Sequence, residues 1–295
     1  MSQVWLITGS SRGLGRALAE AVLEAGHHLV ATARAPAQLE DLAARYGDRV
    51  HNFALDVTDP DAAIGAVQAA INKFGRLDVL VNNAGYGDVG SIEDTDLAVF
   101  RAQIEANLFG VVNVTKAAIP VMRAQGAGHI IQISSAGGRL STPGVAAYQT
   151  AKWGVEGFSG VLAREVGPLG IKVSIVEPGG FRTDWAGSSM TVRKSRPEYD
   201  STIGFMTEYR KAHAGAEPGD PAKAAAAILH IAGLGEPPLR LLLGSDAVNL
   251  VEQSDRARME ADLKWRDLSL STDFERAAGT AGLAWERIAA AHSPE

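Results

Sequence analysis

Val4-Trp5-Leu6-Ile7-Thr8-Gly9-Ser10-Ser11-Arg12-Gly13-Leu14-Gly15 begins as an apolar run, meets three spaced glycines, and leads into Leu18, Val22 and Leu23 at helical spacing. By hydrophobic period this is strand, glycine turn, helix. Gly26 supplies a helix stop and His28-Leu29-Val30-Ala31-Thr32-Ala33 a second strand, which closes a βαβ unit. A crossover helix between two strands favours parallel pairing.

The alternation continues outward from this unit. Further strands are expected at 50–55, 78–82, 129–134, 172–176 and 239–243, with helices over 59–74, 96–125, 147–168 and 220–233. Asp220 opens the last helix as N-cap, with Pro221 at its first position. The pattern predicts an α/β fold, a Rossmann-type doubly wound parallel sheet of about seven strands with helices on both faces, in one domain over residues 1–244. Two segments depart from the rhythm. Residues 181–219 are polar with interspersed aromatics, Trp185, Tyr199, Phe205 and Tyr209, and are expected to close over a ligand. Residues 245–295 are expected to form a helical extension packed on the same domain.

With 46% hydrophobic and 21% charged residues the chain has ample apolar surface for a core. A net charge of -6 with scattered Lys and Arg argues against nucleic acid and anionic membranes as partners. Cysteine is absent, which excludes disulfides and a thiol nucleophile, and the seven histidines lack metal-ligand spacing. No run is long enough to span a bilayer or resembles a secretory leader, so the expected compartment is the cytoplasm.

The glycine turn Thr8-Gly9-x-x-x-Gly13-x-Gly15 places backbone amides and a helix N-terminus where a pyrophosphate could sit, with Ser11, Arg12 and Leu14 inside it. Asn82-Asn83-Ala84-Gly85 ends the fourth strand at the same sheet edge. Tyr148 and Lys152 stand four apart on one helix face, and Ser134-Ser135 close the preceding strand, the parts of an acid/base site.

These motifs, in this order, resemble those of the short-chain dehydrogenase/reductase family, specifically the single-domain branch with a Tyr-x-x-x-Lys active site. The thirteen-residue interval to Tyr148 selects Ser135 over Ser134, and Asn107 in Asn-Leu-Phe-Gly matches the family's fourth active-site residue. Pro178-Gly179-Gly180-Phe181-Arg182-Thr183 resembles the stretch beside the nicotinamide. The resemblance implies hydride transfer between nicotinamide and a carbonyl or secondary alcohol. Tyr148 would be the general acid/base, Lys152 would lower the phenol's pKa and bind the ribose, Ser135 would fix the substrate oxygen, and Asn107 would support a water leading to Lys152. Asp56 in Leu55-Asp56-Val57 resembles the residue beside the adenine, or else caps a helix, while Asp78 reads as structural. A homodimer or homotetramer is expected by analogy. The alternative function is a catalytically idle NADP(H) sensor or scaffold, for which loss of the tyrosine or lysine would be the sign; both are present.

Cofactor choice is written in the second strand. An NAD site places an acid about twenty residues after the turn. Here Ala33 stands at that position and Arg34 follows, with Arg12 able to approach from the turn, so the expected cofactor is NADP(H).

Overall fold

The computed structural model describes residues 2–183 and 190–274. Its strands are β1 Val4–Ile7, β2 His28–Ala33, β3 Val50–Ala54, β4 Val79–Asn82, β5 Gly87–Val89, β6 Gly128–Ile133, β7 Ile171–Pro178, β8 Met190–Val192 and β9 Arg240–Leu243. The helices are α1 Gly13–Glu24, α2 Glu40–Tyr46, α3 Pro60–Phe74, α4 Leu97–Ile104, α5 Gly110–Gln125, α6 Ala146–Val166, α7 Phe205–His213, α8 Pro221–Ala232, α9 Ser245–Lys264 and α10 Arg266–Leu270. Seven strands form one parallel sheet in the order β3-β2-β1-β4-β6-β7-β9. The order reverses between β1 and β4, and in open α/β sheets the ligand crevice lies at the carboxyl ends of the strands at such a point.

A strand buried on both faces sends alternate residues to opposite layers. In β1, Trp5 and Ile7 join Leu18, Val22 and Leu23 of α1 and Ala225 and Ile228 of α8. Val4 and Leu6 face the other layer, with Ala66 and Val67 of α3, Val114 and Met122 of α5 and Leu162 of α6. Inside the second layer, Asn82 donates from Nδ2 to Thr115 Oγ1 and Gln132 Oε1, both at 2.9 Å, which ties β4, β6 and α5. Asp78 is structural as expected: its Oδ2 accepts from Val4 N–H at 2.8 Å and the carboxylate pairs with Arg76.

The helix expected over 96–125 is interrupted. Residues 105–109 form one π turn between α4 and α5, and Asn107 sits in it. Such bulges insert a residue into a helical ladder, which a hydrophobic period does not reveal. The aliphatic stretch before Gly244 leads into α9, whose Ala247 and Val251 bury with Ala136. Among the described residues one compact unit runs to Glu252 and a second begins at Gln253. Among the described residues no helix is long and apolar enough to cross a membrane.

Ile228 is fully buried where α8 covers the sheet. Ile228→Ala should lower unfolding stability by about 2 to 5 kcal/mol in a urea titration. A loss under about 1 kcal/mol would mean that α8 contributes little to this layer.

Candidate active site

The turn after β1 is built around one hydroxyl. Thr8 Oγ1 accepts from the backbone N–H of Asn83 and of Ala84, both at 2.9 Å. Asn83 answers by donating from Nδ2 to Thr8 O at 3.0 Å and Gly9 O at 3.1 Å. Gly9 and Gly13 hold φ of +69° and +58°, and a Cβ on Gly15 would stand 2.3 Å from both Asn83 Nδ2 and Gly9 O. α1 begins here with no side-chain hydrogen bond at its cap and no acidic residue in its first turn. Unshielded first-turn amides at the floor of a glycine cradle suit a diphosphate, so these residues fit a dinucleotide.

From this cradle a cleft of 1020 Å³ runs in two directions. Every site residue expected from the sequence lines it except Thr8 and Asn107, which lie behind its wall. At one end Ala33, only 5% exposed, closes β2 and leaves Arg34 exposed at the rim. Opposite stands Asp56, whose Oδ1 accepts from Thr58 N–H at 3.0 Å and Thr58 Oγ1 at 2.8 Å. The Thr58 amide chiefly, with Arg34 adding attraction, holds this carboxyl below the usual range. The helix-cap reading of Asp56 is excluded, because Asp59 caps α3 by accepting from Asp61 and Ala62 N–H. Val57 is held by its carbonyl, which accepts from Asn113 Nδ2 at 3.0 Å.

At the other end α6 presents Tyr148 and Lys152. Burial pushes the Tyr148 phenol up to about 12, and its hydrogen bond with Ser135 opposes the rise. Ser135 Oγ also accepts from Gly137 N–H at 3.0 Å and donates to Pro178 O at 3.4 Å, which fixes it between β6 and β7. Ser134 is buried with Oγ unpartnered. Lys152 Nζ donates to Ile133 O at 2.7 Å and lies 5.7 Å from the Tyr148 ring centroid. Burial brings Lys152 down to about 8, against the attraction of Glu156 one turn on. Desolvation thus dominates the phenol's shift, with the Ser135 hydrogen bond acting against it. Asn107 Oδ1 accepts from Tyr86 N–H at 2.9 Å and its Nδ2 donates to Tyr86 O at 2.8 Å, which shapes the Gly85-Tyr86 turn.

Comparison with known proteins places this geometry. A family model described as short chain dehydrogenase matches residues 3–193. The chain belongs to that family. Oxidoreductase BOA17 of Botryotinia fuckeliana (strain B05.10) is 50% identical over 273 residues, covering 92% of this chain and 100% of that protein. Among solved structures, a short-chain dehydrogenase from Streptomyces avermitilis superposes with a TM-score of 0.87 at 41% identity, over 93% of this chain and 100% of the other. An alcohol dehydrogenase from the archaeon Thermococcus sibiricus, complexed with 5-hydroxy-NADP, gives 0.69 at 25% identity over 82% and 96%.

Several parts of this short-chain dehydrogenase's site carry no local sequence signal. Gly180 N–H donates to Asp246 Oδ2 at 2.7 Å, so the turn after β7 is held by the first turn of α9. Three-residue β5 pairs in parallel with β8, which draws the segment from 190 onward against the wall of the cleft. Arg193 pairs with Asp88 at 3.2 Å, Arg196 with Asp94 at 2.8 Å and with Glu93, and Tyr199 donates to Glu93 at 2.9 Å. Of the four aromatics singled out in the sequence, Tyr209 lines the cleft, Tyr199 packs into the Val89–Val145–Ile203 cluster, Phe205 is exposed, and Trp185 lies outside the described residues. Behind Lys152, Glu156 and the fully buried Glu177 share Arg240, and Glu177 also pairs with Arg139. Burial first and Glu156 second push Glu177 up to about 7.

Gly15→Ala should force Asn83 out of its latch. The expected result is weakening of nicotinamide dinucleotide binding by about tenfold or more in a fluorescence titration, together with a lowered melting temperature. Unchanged affinity would mean that the latch does not set the cradle.

Proposed function

We propose that this short-chain dehydrogenase is an NADP(H)-dependent oxidoreductase acting on a carbonyl/secondary-alcohol pair, with Tyr148 as general acid and base. The observation that carries the reading is the Tyr148 phenol bonded to Ser135, with the Lys152 ammonium over its ring, in the same cleft as the uncapped glycine turn. The cofactor, when bound, supplies or accepts the hydride. Ser135 orients the substrate oxygen against the phenol, because its hydroxyl is already fixed by Gly137 and Pro178. Tyr148 keeps its proton through the neutral range and donates it as negative charge grows on that oxygen. Lys152 holds a positive charge beside the phenolate this leaves, and its ammonium is positioned by Ile133 O.

Preference for NADP(H) is supported by Arg34 at the rim with uncharged Ala33 in the place of an acid, and by the 5-hydroxy-NADP bound to the Thermococcus relative. Asp56 faces the same end, but its charge is engaged by the Thr58 amide. A carboxylate on the β2 end is what would repel a 2′-phosphate, and that position is alanine.

Tyr148→Phe should lower kcat by about a hundredfold or more while NADPH affinity stays near wild type, since only the proton carrier is removed. Retention of more than about a tenth of kcat, a loss under about 1.4 kcal/mol, would remove the acid/base assignment. The pH profile has a defined sign. Lys152 is cationic below its depressed pKa of about 8 and loses its charge above it. Reduction should therefore be level near neutrality and fall as pH rises through about 8, whereas alcohol oxidation, which needs the phenolate, should rise with pH. A reduction rate that climbs past pH 8 contradicts this. For the cofactor, Arg34→Ala should weaken NADPH by about 1.5 to 3 kcal/mol and leave NADH nearly unchanged, read by titrating each into both proteins. Equal losses would assign Arg34 to something other than the 2′-phosphate.

A further inference from the structure

The wall of the cleft shared with Tyr148 contains a cation that has no counterion among the described residues. The chain enters this wall through β8, whose Met190 packs, as Tyr148 and Tyr199 do, against Val89, Val145 and Ile203. It continues into α7, where Arg210 lines the cleft together with Tyr209 and His213. Arg210 Nη1 is buried and has no hydrogen-bond partner, and among the described residues no ion pair reaches this side chain. Burial pushes its pKa below the ordinary arginine value, with no carboxylate offsetting it.

Neighbouring arginines make the contrast. Arg182 Nε donates to Glu217 O at 2.8 Å, Arg193 and Arg196 pair with Asp88 and Asp94, and Arg240 pairs with Glu156 at 3.0 Å. Two carboxylates also line this part of the cleft, and neither pairs with Arg210. Asp246 Oδ2 is taken by Gly180 N–H while its Oδ1 is buried without a partner among the described residues, and Glu217, with Oε2 likewise buried and unpartnered, stands against Gly180. A guanidinium stays charged at any working pH, and withdrawing it from water without an anion is costly. Its planar fork matches a carboxylate, and a ligand that supplies one recovers that cost on binding.

We propose that Arg210 is the anion-recognising residue of the substrate end, so that the substrate is a carbonyl compound carrying a carboxylate remote from the reacting C=O. This rests on the reading of Tyr148 as the reacting end of the cleft. It assigns α7 a specificity role separate from the chemistry: the carboxylate held on α7 leaves the other end of the substrate free to meet Ser135 and Tyr148.

The test separates recognition from turnover. 4-(1-Hydroxyethyl)benzoic acid and its methyl ester are titrated calorimetrically into the full-length protein saturated with NADPH, where neither alcohol can be oxidised. The acid should bind about tenfold or more tighter than the ester, Arg210→Met should bring the ratio close to one, and Arg210→Lys should keep an intermediate preference. Arg210→Gln, which keeps a polar side chain, replaces Met should the latter lower the melting temperature. Equal affinity for acid and ester in the wild type would overturn the assignment, as would equal weakening of both by the variant. Weakening of NADPH itself would make Arg210 a cofactor residue and also overturn it. Turnover of 4-acetylbenzoic acid and of its methyl ester with NADPH is followed separately. Preference for the acid without turnover would reject the hydride-transfer reading and leave the anion site standing, whereas turnover of acid and ester with equal affinity would do the reverse.

Discussion

Thr8 has one hydroxyl and spends it on two backbone amides of another strand. That contact joins the carboxyl ends of β1 and β4 at the point where the strand order reverses, and so it sets the width of the crevice. Asn83 returns the contact by bonding the carbonyls of Thr8 and Gly9, which leaves the glycine turn in one conformation. With Gly9 in the left-handed region and Gly15 pressed against Asn83, the amides at the start of α1 are free of side chains. The cofactor end of the cleft depends on this closed set of bonds, because a buried polar group left unpaired there would cost about as much as the turn gains.

Burial works in opposite senses on Tyr148 and Lys152. It raises the Tyr148 phenol and lowers the Lys152 ammonium, since both shifts favour the uncharged form. Lys152 is kept charged by Glu156 and by the carbonyl of Ile133, so a proton donor and a cation stand together without forming an ion pair. The carboxylates behind it are themselves confined by Arg139 and Arg240. The site is thus a neutral acid in front of a layered set of charges.

Much of the dinucleotide half was legible because its information is local. Strand, glycine turn and helix succeed one another within twenty residues, and Tyr148 and Lys152 share a helix face at a spacing of four. The π turn at 105–109 was not legible, since an apolar period runs through it unchanged. Nor was the commitment of Asn107 to Tyr86, which requires a loop folded back across a helix. β5 is three residues long and pairs only because β8, a hundred residues later, lies beside it.

By itself the sequence determined the βα alternation, the parallel sheet, the glycine cradle, and the identity and order of Ser135, Tyr148 and Lys152. Each of these follows from period, spacing or backbone preference within a short window, where the chain's own geometry is the constraint. The tertiary structure decided that Asp246 holds Gly180, that Arg210 faces the cleft with no counterion among the described residues, and that burial raises the Tyr148 phenol. Those outcomes depend on which groups are removed from water together, and desolvation is set by neighbours that the linear order keeps far apart.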